Sequence, residues 1–309
     1  MPRFIQRCFS FILLISLSSI SSVFASETAL ISPAMLVQKQ QQANTVVLEL
    51  QPLDYYLQAH IPGSVHTDYA SWRRTNAEGL RKMLPEQPQL ASLIGGLGID
   101  NESEVIIVPI GRGAGDMAAA ARVYWTLYVA GLEQLSILEG GLLAYFEAYG
   151  REDLESGNKP AEATPFEVQL RLAEITSMKK VDYFLDLELG IIDARSPDEF
   201  NGTVTGSPAE KPGAIPTAVN LPYDSLMNAK GDALLDAKAL RTLFEAVGAP
   251  LEGPQLSYCH TGHRTALVWF VSHEILGNQE ARLYDGSTLE WSTTPGSPLI
   301  NRSAQAASN

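Results

Sequence analysis

The sequence is poor in cysteine and in positive charge. It has two cysteines in 309 residues, too few for a disulfide scaffold or a cysteine-rich metal site. Its 22 lysines and arginines are outnumbered by 35 acidic residues, which gives a net charge of −13 at pH 7. Because no basic cluster interrupts this acidity, we expect no nucleic-acid partner. A hydrophobic content of 45% argues against a disordered chain.

The sequence also lacks an apolar run of the roughly 20 residues that a membrane-spanning helix needs. Residues 9–20 form a shorter apolar core, interrupted only by serines, and Arg3 and Arg7 precede it. Val23-Phe24-Ala25 fits a small-residue cleavage site. This pattern predicts a signal peptide at residues 1–25, with an uncleaved anchor as the alternative. We therefore expect an exported protein without stable membrane insertion, periplasmic if the source is bacterial and secreted otherwise.

Removal of the signal peptide changes what the cysteine count means. Cys8 leaves with it, so the mature chain of 284 residues (309 − 25) keeps Cys259 alone. Two arginines leave as well, and the net charge becomes −15 (−13 − 2). An unpaired thiol is a chemical liability in an oxidising compartment, so the presence of Cys259 needs an explanation.

The chain repeats itself once. Three features occur twice in the same order: an apolar strand that ends in an acid, an Ile-Pro segment, and a turn that contains an acid and a glycine. They lie at 46–49 and 191–193, at 60–69 and 214–223, and at 138–141 and 284–287. The second copy has about ten extra residues, which fall in the Gly/Pro-rich stretch 202–212 and predict a loop. We therefore expect two domains of one fold.

The element pattern within each copy predicts the fold class. In the second copy, the patterns predict helices over 177–189, 236–247 and 265–276 and strands over 191–194, 256–258 and 281–284. Alternating strands and helices predict an α/β fold in which each domain is a central parallel β-sheet flanked by helices on both faces. The predicted boundaries are a first domain at 26–150, a linker at 151–168, a second domain at 169–300 and a polar tail at 301–309.

Cys259 begins a six-residue segment, Cys-His-Thr-Gly-His-Arg, between a predicted strand and a predicted helix. Ligand sites in open α/β sheets lie beyond the carboxyl ends of the strands. A tight loop that enters a helix directs several N–H groups toward one point, and Gly262 supplies the conformational freedom for the curl. These groups, with Arg264 if its side chain turns inward, would stabilise a thiolate and bind an oxyanion. A buried structural cysteine is the alternative, but it would not need such a loop.

These features resemble those of the tandem rhodanese family of sulfurtransferases. The two Ile-Pro segments, the motif YCxxGxR at 258–264 and the motif YDGSxLxW at 284–291 carry the resemblance, which spans roughly residues 30–300. The loop is most similar to that of exported thiosulfate sulfurtransferases. The resemblance implies two rhodanese-like domains, a catalytic C-terminal one and a non-catalytic N-terminal one. The sequence agrees, because residues 26–258 contain no cysteine and an offset of 146 residues from Cys259 leads to Gly113.

The resemblance also implies the reaction. Cys259 would take the sulfane sulfur from thiosulfate, hold it as a persulfide and pass it to cyanide or a small thiol, with no metal and no organic cofactor. The substrate-binding residues would be His260, Thr261, Gly262, His263, Arg264 and Thr265. Mercaptopyruvate enzymes tend to have glycine and serine where this loop has His260 and Thr261, so that donor is disfavoured. Whether the two histidines contact the substrate stays open.

Two other functions stay open. A cysteine-dependent phosphatase also uses a cysteine-to-arginine cradle, but with one more residue between the two than the four found here. The smaller ring suits a sulfur atom better than a phosphate group. A non-enzymatic persulfide carrier or partner-binding module would use the same loop, and no decisive sequence feature argues against it, although no exposed partner-binding tail is evident. A metal site is disfavoured, because the cysteine and histidines of one tight loop do not aim three ligands at one ion.

Two charged clusters lie outside the loop. Asp193, Arg195 and Glu199 are interpreted as a structural group that pairs at the start of the second domain. Residues 72–74, Trp-Arg-Arg, follow the first Ile-Pro segment and either line the cleft between the domains or lie on the surface.

Overall fold

The computed structural model describes residues 29–158 and 160–307, so the predicted signal peptide at 1–25 lies outside the described residues. Within the described ranges, the chain forms two five-stranded sheets, one in each half. The same ranges contain no helix that combines the length and the apolar character needed to cross a bilayer.

Helices cover both faces of the first sheet, and its central strand is buried. Its strands are β1 (Leu30–Ile31), β2 (Thr45–Glu49), β3 (Val65–His66), β4 (Glu104–Val108) and β5 (Leu135–Leu138). Its helices are α1 (Pro33–Lys39), α2 (Leu53–Tyr56), α3 (Gln87–Gly96), α4 (Ala114–Ala130) and α5 (Gly141–Tyr149). The order across the sheet is β1-β5-β4-β2-β3, and every pair is parallel. All five residues of β4 are buried, as expected for a strand enclosed on both faces.

The second sheet repeats this arrangement. Its strands are β6 (Ile175–Thr176), β7 (Gly190–Asp193), β8 (Val219–Asn220), β9 (Gln255–Tyr258) and β10 (Ala281–Tyr284). Its helices are α6 (Met178–Asp186), α7 (Pro197–Asn201), α8 (Ala237–Val247), α9 (Arg264–Phe270), α10 (Ser287–Trp291) and α11 (Arg302–Ala307). The parallel order β6-β10-β9-β7-β8 matches the first sheet position by position. The predicted α/β fold with two domains of one architecture is confirmed.

Most predicted elements of the second copy are present, with shifted ends. Helix α8 begins after Asp236, whose carboxylate accepts from the N–H of Ala239 at 2.8 Å, and it ends at Gly248 with φ +75°. Helix α6 ends three residues before the predicted end, because the chain turns at Glu188, which has φ +51°. The predicted helix 265–276 is α9 followed by a π-helix over Val271–Ile275.

Helices α4 and α9 pack against each other at the interface between the domains. The ring of Tyr124 in α4 meets that of Phe270 edge-on, with centroids 5.1 Å apart. The ring centroid of Tyr128 lies 5.5 Å from that of Trp269. One buried hydrophobic cluster contains side chains of both helices and both sheets. Because α9 directly follows the loop that begins at Cys259, this packing places that loop against the first domain.

The predicted linker runs along the first domain. The N–H of Thr164 donates to the carbonyl of Gly95 at 2.9 Å, and that of Glu167 donates to Asn101 Oδ1 at 2.9 Å. The linker is therefore hydrogen-bonded to the domain that precedes it, which limits the relative motion of the two halves.

Candidate active site

Cys259 follows β9, an inner strand of the second sheet, at its carboxyl end. The residue is 1% exposed and its thiol is free. Gly262 lies within the loop with φ +72°, and a Cβ at this position would collide with the guanidinium of Arg122 and lie 2.6 Å from Asp285 Oδ1. Both the backbone conformation and the close approach therefore require glycine at this position.

The backbone N–H groups of the loop fall into two sets. Ser287 Oγ accepts from the N–H groups of Cys259 (3.1 Å) and Gly262 (3.2 Å) and donates to the carbonyl of Tyr284 (2.8 Å). Within the described part of the chain, the remaining N–H groups have no protein acceptor. They belong to His260, Thr261, His263, Arg264 and Thr265. This second set can bind an anion or a persulfide.

Arg264 is held by a carboxylate of its own domain. Its Nη1 and Nη2 lie 2.6 and 2.8 Å from the two carboxylate oxygens of Glu199. Burial alone would raise the pKa of Glu199, but the hydrogen bonds from Arg264 outweigh burial and lower it to about 2. Arg264 still interacts electrostatically with Cys259. It therefore contributes positive charge near the sulfur, while its terminal nitrogens are engaged by Glu199.

Asp193 and Arg195 form a buried pair that fixes the strand ends. Their closest atoms, Oδ2 and Nη2, are 2.6 Å apart. The hydroxyl of Tyr258 donates to Asp193 Oδ2 at 2.7 Å, and Arg195 donates to the carbonyl of Gly213 at 2.8 Å. The pair joins β7, β9 and the loop before β8, in keeping with a structural role. Glu199 differs from these two residues, because it holds the arginine of the catalytic loop.

The extra loop of the second copy covers His260, the first histidine after Cys259. Glu210 Oε1 lies 3.0 Å from His260 Nδ1, and Thr288 Oγ1 donates to Glu210 Oε2 at 3.2 Å. A Cβ at Gly206 would collide with Nδ1 of His260, so a side chain there would displace the imidazole. Residues 202–212 were predicted only as a loop, whereas the structure places Gly206 and Glu210 of this stretch against His260.

The first domain contacts the loop that begins at Cys259 through Arg122, a fully buried residue of α4. Its Nη1 donates to the carbonyl of Gly262 at 3.0 Å and lies 2.6 Å from Asp285 Oδ1. The other oxygen of Asp285 accepts from the N–H of Leu84 at 2.7 Å. One carboxylate of the second domain is thus bound by two groups of the first, at the back of the loop.

A second contact between the domains joins Tyr69 to His263. The Tyr69 hydroxyl lies 2.6 Å from His263 Nδ1, and the guanidinium of Arg73 lies 4.3 Å from the centre of the Tyr69 ring. Burial raises the pKa of Tyr69 to about 12. Burial, with the nearby positive charge of Arg73 and other cations, lowers the pKa of His263 to about 3. Both groups are therefore uncharged at neutral pH.

Tyr69 and Tyr223 occupy the same position in the two copies, as the final residues of the repeated Ile-Pro segments. Each begins a 3₁₀ helix, over Tyr69–Trp72 and Tyr223–Leu226. Both interact electrostatically with Cys259. The internal repeat therefore places one tyrosine from each domain within electrostatic range of Cys259.

In the first domain, Pro109 stands where the second domain has Cys259. The N–H of Leu142 donates to the carbonyl of Pro109 at 2.9 Å, and that of Thr288 donates in the same way to Cys259 at 3.1 Å. The structural equivalent of Cys259 is therefore Pro109, four residues before the Gly113 that the sequence offset indicated. The corresponding loop of the first domain has no nucleophile.

The remaining candidate residues lie in different surroundings. Thr261 and Thr265 are buried, and among the described residues Thr265 Oγ1 has no hydrogen-bond partner. Both placements predicted for residues 72–74 are wrong for Trp72, because its large apolar ring lies in the core, where its Nε1 donates to Thr67 Oγ1 at 2.9 Å. Arg73 is half-buried beside the loop, whereas Arg74 is exposed.

Sequence reasoning did not assign five residues that hold the site. They are Tyr69, Arg122, Glu210, Asp285 and Ser287. Asp285 and Ser287 lie in the motif YDGSxLxW at 284–291, which was part of the family resemblance. Arg122 had one usable signal, because it is the only basic residue in the otherwise largely apolar helix α4. Within the described residues, no group of three or more His, Cys, Asp or Glu side chains is arranged to hold a metal ion.

Comparison with known proteins shows what the chain is similar to. Residues 32–148 and 176–294 each match the model of the rhodanese-like domain. A protein of Saccharopolyspora erythraea, provisionally named a thiosulfate sulfurtransferase, is 29% identical over 256 residues, which cover 80% of this chain and 87% of the relative. A protein of Thermus thermophilus named sulfur carrier protein TtuD is 26% identical over 288 residues, covering 89% and 98%.

Two solved structures share the fold. SseA from Escherichia coli, described as a 3-mercaptopyruvate enzyme, superimposes with a TM-score of 0.71 at 24% identity and covers 84% of this chain and 99% of that one. The anaerobic ergothioneine biosynthesis enzyme from Chlorobium limicola has a TM-score of 0.77 at 19% identity, with coverage of 88% and 70%.

Proposed function

Because the chain belongs to the rhodanese family, with two rhodanese-like domains in tandem, we propose that it is a sulfurtransferase that uses thiosulfate as donor and Cys259 as nucleophile. The main support for the proposal is the set of groups that surround Cys259. The thiol lies at the start of a loop whose free N–H groups and neighbouring guanidinium groups suit an anionic sulfur species. The names of the relatives support a sulfurtransferase in general.

The first step transfers sulfur to the enzyme. The Cys259 thiolate attacks the outer sulfur of thiosulfate, a new S–S bond forms, and the S–S bond of thiosulfate breaks. Sulfite leaves with the electron pair of that bond, so no proton donor is required. The persulfide on Cys259 is an anion of the kind that the free N–H groups of His260, Thr261 and His263 can bind.

The second step releases the sulfur. Cyanide, or a small thiol as its thiolate, attacks the outer sulfur of the persulfide, and the S–S bond to Cys259 breaks. The products are thiocyanate, or a persulfide of the acceptor, and the regenerated Cys259 thiolate. The residue is only 1% exposed, so a compact acceptor fits this step better than a bulky one.

Steady-state kinetics test the proposal. We expect the purified protein to form thiocyanate from thiosulfate and cyanide with ping-pong kinetics, and Cys259→Ser to lose turnover by at least about 10³-fold, because it lacks the nucleophile. 3-Mercaptopyruvate serves as the comparison donor and should be used less well. Turnover that survives in Cys259→Ser would contradict the proposal.

A persulfide carrier is the second candidate, supported by the similarity to the carrier protein of Thermus thermophilus. A carrier would also form a persulfide on Cys259 but would turn over slowly with cyanide and with small thiols. Loading by thiosulfate without small-molecule turnover would therefore favour the carrier.

We further propose that the protein is exported, on the strength of the signal-like pattern at residues 1–25. Determination of the N-terminal residue of the protein from its natural source tests this. A mature chain that begins at Ser26 supports export with cleavage, and a chain that retains residues 1–25 contradicts cleavage.

A further inference from the structure

Within the described residues, the arginines around Cys259 outnumber the carboxylates that pair with them. Three arginines lie near the loop, and two of them have carboxylate partners. Arg122 is paired with Asp285, and Arg264 is paired with Glu199. The third, Arg73, forms no ion pair within the described residues, so a positive charge is left without a partner.

Arg73 is held beside the loop by the first domain. It directly follows the 3₁₀ helix Tyr69–Trp72, and its guanidinium lies 4.3 Å from the centre of the Tyr69 ring. The hydroxyl of that tyrosine is 2.6 Å from His263 Nδ1 in the catalytic loop. This cation–π contact fixes the position of the guanidinium and leaves its N–H groups free for another ligand.

The guanidinium of Arg73 is unfavourably placed without an anion. Its Nε is buried and has no hydrogen-bond partner among the described residues. Burial, and repulsion by Arg122, lower the pKa of Arg73, while the negative charge available at Cys259 and Asp285 acts in the opposite direction. A half-buried cation next to a second cation costs free energy, and an anion bound at this place would offset that cost.

We propose that Arg73 binds the sulfonate oxygens of thiosulfate while the outer sulfur of the same molecule meets Cys259. The inference rests on the proposed function and deepens it, because it assigns the donor's anionic end to a residue of the first domain. A guanidinium can give two parallel hydrogen bonds to an oxyanion, which orients the donor. As the S–S bond breaks, negative charge moves onto sulfite, and Arg73 is placed to stabilise it.

The assignment also explains the composition of the loop. The two residues after Cys259 are His260 and Thr261, and neither carries a fixed positive charge. With Arg264 engaged by Glu199, the catalytic domain alone presents no free guanidinium to the donor. The first domain therefore supplies the group that the second lacks, and it is more than a scaffold.

The test compares Arg73→Gln with the matched control Arg74→Gln, which removes the same charge from the exposed neighbouring residue. We expect Arg73→Gln to raise the KM for thiosulfate about 10- to 100-fold, the range that a hydrogen bond to a charged group contributes. In the Cys259→Ser background, the same change should weaken thiosulfate binding in calorimetry by a similar factor. Arg74→Gln should change neither value more than about twofold.

Three results separate the possible failures. An Arg73→Gln variant with the wild-type KM and the wild-type thiosulfate affinity would overturn the assignment while leaving the proposed function intact. A wild-type protein that takes no sulfur from thiosulfate would instead overturn the proposed function. If Arg73→Gln does not fold, Arg73→Lys replaces it. That variant keeps the charge but loses the planar fork, so an intermediate KM supports the assignment and an unchanged KM overturns it.

Discussion

The imidazole of His263 lies between the two domains, and its surroundings keep it uncharged. It shares a hydrogen bond with Tyr69, and burial together with nearby cations lowers its pKa to about 3. A neutral ring can keep this hydrogen bond throughout the range in which a free histidine would gain a proton. The loop that begins at Cys259 therefore keeps its hydrogen bond to the first domain at mildly acidic pH. Keeping His263 neutral there lowers the free energy of unfolding.

The effect of His263 on the free energy of unfolding depends on pH in a direction that follows from its pKa. Below about pH 6.5 the unfolded chain binds a proton on His263, whereas the folded protein binds one only near pH 3. The free energy of unfolding should therefore fall as pH drops through this window. In His263→Gln this contribution is absent, so the variant should lose about 2 kcal/mol less than wild type between pH 7 and pH 5.

Urea unfolding of both proteins at several pH values measures the difference. Between pH 7.5 and pH 8.5, where His263 is neutral in both states, the two stability curves should run parallel. Parallel curves over the whole range from pH 5 to pH 8.5 would show that the histidine does not titrate in this way.

The residues of the site differ in how far the sequence could reveal them. Cys259 and Gly262 could be predicted as site residues because strand, loop and helix are adjacent in the chain, and the proposed chemistry depends on that local order. The contact of Tyr69 with the loop spans 194 residues. Such a contact depends on how the two domains dock, and no local pattern encodes docking. The sequence likewise does not predict that Arg73, among the described residues, lacks a carboxylate partner. That property depends on the carboxylates that Arg122 and Arg264 contact in the folded protein.

At the scale of elements, helix α4 locks the catalytic loop in place through Arg122. The Nη1 atom of this residue meets Asp285 and the carbonyl of Gly262, while its Nε and Nη2 have no hydrogen-bond partner among the described residues. A buried guanidinium with unpaired nitrogens is expensive, so the pair adds little net stability over an apolar core. What it adds is specificity, because it fixes α4, the catalytic loop and the turn before α10 relative to one another.

We expect the single variant Arg122→Met to be less stable than the double variant that also removes the charge of Asp285. Arg122→Met leaves the carboxylate of Asp285 buried without its cation, and it should lower the free energy of unfolding by about 3–5 kcal/mol. Arg122→Met combined with Asp285→Asn should recover part of the loss, because the amide is uncharged and can still accept from the N–H of Leu84. Chemical denaturation of the three proteins measures both effects.

Arg112→Met is the matched control, because Arg112 is exposed and its ion pair is with the neighbouring Asp116. It should cost less than about 1 kcal/mol. A double variant no more stable than Arg122→Met alone would contradict the account of the buried pair.

The elements themselves were predicted better than their ends and contacts. Alternating strands and helices, and the cap at Asp236, were readable because they depend on local periodicity and on side chains next to the backbone they bind. The π-helix after α9 and the early end of α6 depend on packing and on a turn at Glu188, which periodicity does not record. The extra loop at 202–212 was recognised as an insertion, but its contact with His260 arises from the tertiary fold.

At the scale of the whole molecule, the two domains form one structural unit. A single buried hydrophobic cluster extends through both of them, and the catalytic loop lies where they meet. The repeat in the sequence predicted two equivalent domains, and the strand orders confirm this equivalence. The repeat did not reveal that the domain without a cysteine supplies Arg122 and Tyr69 to the site of the other. The acidic surface, with a net charge of −13, leaves anion binding to these local groups.

The most direct test of the central claim is the intact mass of the protein after incubation with thiosulfate and removal of excess donor. We expect a gain of one sulfur atom, located on Cys259 by peptide mapping, and loss of that gain with formation of thiocyanate when cyanide is added. No gain in mass, or a sulfur that cyanide does not remove, would contradict the claim that Cys259 carries sulfur as a persulfide.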